Sequence, residues 1–78
     1  MRLEIVTPEK LIYSGEIINA QFPGAAGSFG VLKNHAPIIS TLKEGAIKIT
    51  DADNHQQSFS IKGGVVEVMD NRIIVLAE

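Results

Sequence analysis

Turn-forming residues recur so often along this chain that no stretch between them can carry a helix of useful length. Seven glycines and three prolines, helped by Ser14, Asn34, Asp70 and Asn71, cut it into pieces of about four to eight residues, the length of strands. Within the pieces Ile and Val predominate, and these suit a pleated surface while losing side-chain freedom in a helix. RLEIVT (residues 2–7) alternates Leu3 and Ile5 with Arg2 and Glu4, the pattern of a strand with one buried face. LIY (11–13) reads as a short strand ended by Ser14-Gly15, and EIINAQF (16–22) as the next, with Ile18, Ala20 and Phe22 on one face and Ile17, Asn19 and Gln21 on the other. SFGVL (28–32), PIISTL (37–42), AIKIT (46–50), SFSIK (58–62), VVEVM (65–69) and RIIVLA (72–77) follow. The expected fold is all-β: about ten short strands, mostly antiparallel, packed as a β-sandwich.

Several connections have their own chemistry. Pro8 starts a turn after Thr7, DADNHQQ (51–57) makes a solvated hairpin tip, and Gly63-Gly64 permits a bulge or sharp bend. Asp70-Asn71 is a turn pair that tolerates positive φ. RIIVLA is apolar on both faces, so it is expected either at the centre of a sheet or under a partner.

Length and charge narrow the function. Seventy-eight residues make a single domain, 1–78, with no apolar run near the ~18–20 residues of a membrane span. The amino terminus, MRLEIVTPEK, lacks a signal-peptide apolar block or a transit-peptide pattern, which points to a bacterial-type cytosol or an equivalent compartment. Without cysteine there is no disulfide, thiol nucleophile or Cys-based zinc site. A net charge of −2 with no Lys/Arg cluster offers nucleic acid no electrostatic footprint.

Residues 23–45, PGAAGSFGVLKNHAPIISTLKEG, are the most distinctive stretch. GAAGSFG lacks the Lys-Ser/Thr of a phosphate loop and no helix follows it, so it reads as a strand connection that exposes backbone, with Phe29 a contact candidate standing clear of the core. His35 either fixes the turn before PIISTL through a backbone hydrogen bond or meets a partner. Neither His35 nor His55 has the convergent ligands of a metal site, and Ser28 or Ser40 with His35 lacks the setting of a nucleophile–base pair. One face of IISTL is expected in the core, with Ser40 and Thr41 not both buried. A swinging-arm carrier would need a lysine at a hairpin tip, and the turn VMDN (68–71) has none.

LEIVTPEKLIYSGE, PGAAGSFGVLKNHAPIISTLKEG and IKGGVVEVMDNRIIVLAE together resemble the epsilon subunit of bacterial and chloroplast F-type ATP synthase, over the whole chain. The resemblance implies a non-catalytic rotor subunit, without cofactor or metal, whose sandwich links the gamma subunit to the ring of c subunits. It implies a monomer within a hetero-oligomer, peripheral on the cytoplasmic face of a bacterial plasma membrane or the stromal face of a thylakoid. A domain of this length should be roughly 30 Å across, enough to bridge two neighbours. The ring contact falls by position on Gly27, Ser28, Phe29, Gly30, Val31, Asn34 and His35, and the gamma contact on Ser40 and Leu42. Ser28 stands where family members often carry an acid, so hydrogen bonds or Phe29 packing would replace a charge contact. An apolar patch including Phe29, Leu32 or Leu42 is expected to face a partner. Most members continue after LAE into a two-helix hairpin that can block ATP hydrolysis and in some binds ATP; the sequence stops at Glu78, as either a naturally short form or a chain cut to the sandwich would, and neither property is carried over. The alternative is a free-standing β-sandwich interaction module outside ATP synthase.

Overall fold

The computed structural model describes residues 1–78 as eight strands without a helix. They are β1 (Arg2–Val6), β2 (Leu11–Phe22), β3 (Phe29–Leu32), β4 (Ile38–Leu42), β5 (Gly45–Asp51), β6 (Gln56–Ile61), β7 (Gly64–Met69) and β8 (Arg72–Ala77). Neighbours run β4-β7-β8-β1-β2-β5-β6, and β3 adds to β2. Every pair is antiparallel except β1 with β8.

LIY and EIINAQF form one twelve-residue strand, β2, rather than two. Ser14 and Gly15 do not turn, because they pair in register with Glu4 and Leu3 of β1. The tight fit lies elsewhere: a Cβ on Gly15 would come within 3.0 Å of the Tyr13 hydroxyl. The first half of β2 pairs with β1 and the second half with β5 and β3. Between the halves the register slips, with Ile17 opposite Asp51 and Asn19 opposite Thr50, so Ile18 is an extra residue in a β-bulge. The slip resets the alternation. Ile17, Ala20 and Phe22 are buried and Ile18 is exposed, whereas strict period two puts Ile18 inside and Ile17 outside.

The curled sheet thereby becomes two layers sharing β2. One is β4-β7-β8-β1 with the front half of β2; the other is β3, the rear half of β2, β5 and β6. Fifteen buried apolar residues from both layers form the core, and the domain measures 27 × 24 × 18 Å. Fully burying a side chain such as Leu3, Ile47 or Ile73 is worth about 1.5–3 kcal/mol each. β8 lies in mid-sheet between β7 and β1, with Ile73, Val75 and Ala77 inward.

Edges and corners are tied by backbone bonds. Thr41 accepts from the Ala25 amide at 2.9 Å and Pro23 from the Lys43 amide at 2.9 Å, which covers the end of β4. The Glu78 amide donates to Gly63 at 3.0 Å, and its carbonyl accepts from Lys62 at 3.1 Å. Gly64 has φ 147°, and a Cβ there would lie 2.2 Å from the Leu76 carbonyl oxygen. No other residue fits. At the β5–β6 tip, Asp51 Oδ1 accepts from the Asp53 amide (3.0 Å) and the His55 amide (2.9 Å), and Oδ2 from Gln57 Nε2 (3.2 Å). The His55 amide bond holds the Asp51 carboxyl below its ordinary value of 3.8, with Gln57, Asp53 and the His55 ring adding to the effect against a smaller burial penalty.

Gly64→Ala is expected to lower unfolding stability by about 2–4 kcal/mol in urea titration, since strained φ and a backbone clash combine. Gly30→Ala, whose Cβ meets nothing closer than 3.8 Å, should stay within about 0.5 kcal/mol of wild type. A carboxyl depressed by folding stabilises above its unfolded pKa, and that contribution vanishes as pH falls through the folded value. The Asp53 and His55 amide resonances should therefore titrate together below pH 3.8. In Asp51→Ala they should exchange fast at every pH while the core amides stay protected.

Candidate interaction surfaces

The Gly24–Ser28 connection begins β3. The Gly27 amide donates to Gly24 at 3.0 Å, and Gly27 has φ 133°, a conformation that favours glycine. Gly27, Ser28 and Gly30 are exposed. Phe29 does not stand clear of the core: it is half-buried, its ring 5.6 Å from that of Phe22 at 34°. Gly24 makes room for it, since a Cβ there would meet the Phe29 ring at 2.9 Å. Val31 is fully buried opposite Ala20, so its side chain cannot be part of a contact surface. Its neighbour Leu32 points the other way and is 64% exposed.

β3 ends in the Lys33-Asn34 turn. Asn34 takes φ 66°, and the His35 amide donates to Leu32 at 3.1 Å. His35 is half-buried with its Nδ1–H on the Ala36 carbonyl at 2.7 Å, so the ring fixes the turn. The seven residues expected at one contact are not gathered in one place. Gly27 and Ser28 lie at the start of β3 and Asn34 and His35 beyond its end, with a four-residue strand of about 3.3 Å per residue between them.

Ser40 and Leu42 do not form an outward patch. β4 pairs with β7 so that Ser40 sits opposite Val66 and Leu42 opposite Gly64, which turns both side chains inward. Leu42 is 3% exposed and belongs to the core, and Ser40 is half-buried with its hydroxyl on the Thr41 carbonyl at 3.3 Å. Ile39 and Thr41 face out instead, and Ile39 is 70% exposed. Val65, Met69, Ile74 and Leu76 are exposed on the same outer face, where Val65 pairs with Leu76 and Glu67 lies between Ile39 and Ile74. The two-faced apolarity of RIIVLA signalled this surface; the inward phase of Ser40 could not be read without the β7 register. The opposite outer face is polar, with Asn19, Gln21, Lys48, Thr50, Gln56 and Ser58 lining a shallow groove.

The serines and His35 do not assemble. Ser28 is at the other end of β3, and the hydroxyl of Ser40 and the ring of His35 each bond a different carbonyl. Contrary to the expectation from sequence, His55 does have acidic company, in plain view in the spacing of Asp51, Asp53 and His55: their ligand atoms lie within 4.8 Å of one another. Both Asp51 oxygens are engaged in closing the hairpin tip, so this is a loop closure built from hydrogen bonds.

Residues 1–78 match the family described as ATP synthase, Delta/Epsilon chain, beta-sandwich domain. The ATP synthase epsilon chain of Chlorobium limicola is 43% identical over 77 residues, a match covering 99% of this chain and 88% of that one. The ATP synthase epsilon chain of a Nitratiruptor species is 45% identical over 78 residues, covering all of this chain and 60% of that one. In the cryo-EM structure of Euglena gracilis mitochondrial ATP synthase, OSCP/F1/c-ring in rotational state 1, one chain superposes with a TM-score of 0.86 at 18% identity, over 96% of this chain and 48% of that chain; it shows likeness of fold. On the whole-length family match and these relatives, this chain belongs to the ATP synthase delta/epsilon β-sandwich family.

Proposed function

We propose that this chain is a non-catalytic subunit of the ATP synthase central stalk, linking the gamma subunit to the ring of c subunits and so supporting coupled ATP synthesis. The observation that carries this reading is the unequal dressing of the two outer faces. Around Ile39, Val65, Met69, Ile74 and Leu76 the sandwich is apolar, and its other face is polar apart from Leu32, which lies opposite Asn19. Stable interfaces are built on apolar centres, and an uncovered patch of this kind marks a docking site. The gamma subunit docks on that face and on the adjoining Asn34-His35 end, reached through Ile39 rather than Leu42. The c-ring meets the other end of β3, through Gly27, Ser28 and Gly30 with the Phe29 edge.

Separate patches suit a coupling body. A rigid sandwich 27 Å long keeps its two contacts at fixed spacing, so rotation of one partner moves the other without slack. Membrane association is peripheral and comes through the ring, on the cytoplasmic face of a bacterial plasma membrane or the stromal face of a thylakoid. Neither contact needs a cofactor or metal.

Binding to purified gamma and to ring-containing membranes tests the reading directly. Ile39→Asp should weaken gamma binding about 30-fold, the effect of about 2 kcal/mol for burying an unpaired charge at an interface centre, and leave ring retention intact. Ser28→Arg should do the reverse. If the wild-type chain binds neither gamma nor ring, the free-standing interaction module takes its place.

A further inference from the structure

Two asparagines far apart in sequence hold each other across the end of the sandwich where β3 finishes. Asn71 Oδ1 accepts from the Asn34 amide at 2.6 Å, and Asn71 Nδ2 donates to Asn34 Oδ1 at 2.9 Å. The Asn71 carbonyl accepts from the Arg2 amide at 3.0 Å, which fastens the same residue to β1. Both asparagines are left-handed, at φ 66° and 59°. Glycine would meet that backbone requirement at less steric cost. What asparagine adds is a side chain that both donates and accepts, and here both functions are used across the gap.

We propose that Asn71 is a positioning residue for partner binding. It holds the Lys33–Pro37 turn against the β7–β8 turn, so that Lys33 and His35 from one and Asp70 and Arg72 from the other form a single composite contact. The inference rests on the assignment of this end to the gamma subunit. The 33–37 turn has few ties of its own: beyond the His35 amide and ring bonds, its anchorage to the rest of the fold is the Asn71 side chain. Without that clasp the turn samples other positions, and ordering it again on binding costs affinity. The ring-facing Gly27–Gly30 end has no contact with the clasp and is indifferent to it.

Asn71→Gly and Asn34→Gly both keep the left-handed turns; Asn71→Gly removes both bonds of the clasp, whereas Asn34→Gly removes only the Asn71 Nδ2 bond and keeps the backbone N–H that donates to Asn71 Oδ1. In the isolated domain, the Asn34 amide should lose its exchange protection in Asn71→Gly while core amides keep theirs. Affinity for purified gamma should fall about tenfold in Asn71→Gly, as expected when two ordinary hydrogen bonds cease to preorganise a loop, and by about threefold in Asn34→Gly, which loses one of them. The double variant should be no worse than Asn71→Gly alone, and retention on ring-containing membranes should not change. Undiminished gamma binding by Asn71→Gly, alongside normal binding by wild type, overturns the inference alone. So do single losses that multiply in the double variant, or equal losses at the ring. Failure of wild type to bind gamma overturns the partner assignment first and this inference with it.

Discussion

The structure depends on one strand belonging to two sheets. β2 leaves β1 at Glu16 and takes up β5 and β3 from Ile17 onward, and the extra residue at Ile18 lets it do so without losing its inward face. A bulge bends a strand and sharpens its twist. Here that bend folds one curled sheet over on itself, so Ile17, Ala20 and Phe22 reach the same core as Leu3 and Ile5. Remove the slip and the second half of β2 would present Asn19 and Gln21 to the core, with nothing there to satisfy their amides.

Folding a sheet in this way decides where the candidate contact surfaces fall. Loops gather at two opposite ends: Pro23–Ser28, Lys43-Glu44 and Gly63 at one, and Lys33–Pro37 and Asp70-Asn71 at the other. The broad apolar face lies between them on one side only. The unequal faces follow from which strands sit in each layer. β8 and β7 carry large apolar residues on both sides, while those of β5 and β6 (Ile47, Ile49, Phe59 and Ile61) all lie on the inner side. The ends are fastened differently, one by glycine turns and backbone bonds, the other by a pair of side chains as well as backbone bonds.

Much of this was legible in the amino acids. Alternating Ile and Val between turn residues marks strands whatever their order, and β1, β5, β7 and β8 lie close to where that pattern puts them. Leu32 was rightly suspected of facing out. What failed was phase and continuity. Ser14-Gly15 looks like a stop, yet pairing with β1 holds it extended, because a neighbouring strand outweighs local turn preference. Ser40 and Leu42 were set on the wrong side, since the phase of β4 is fixed by its register with β7, and no local feature of IISTL states that register. Asn34 and Asn71 each read as turn residues, which they are; their mutual bond exists only once β3 and β8 have been brought together. The family itself was recognisable from three segments, because their order and spacing carry information that composition does not.

The lone parallel pair has a consequence for how the chain acquires its shape. β1 lies beside β8, Arg2 against Arg72 and Val6 against Leu76, so the middle of one layer joins the two most distant parts of the sequence. Such pairing must bear the entropy of closing nearly the whole chain into a loop before any contact repays it, which is the signature of slow folding. The β5–β6 hairpin can form as it leaves the ribosome, but β1 must wait with one edge unsatisfied until the final strand is made. The two-layered body is therefore complete only once β8 has been made and has found β1.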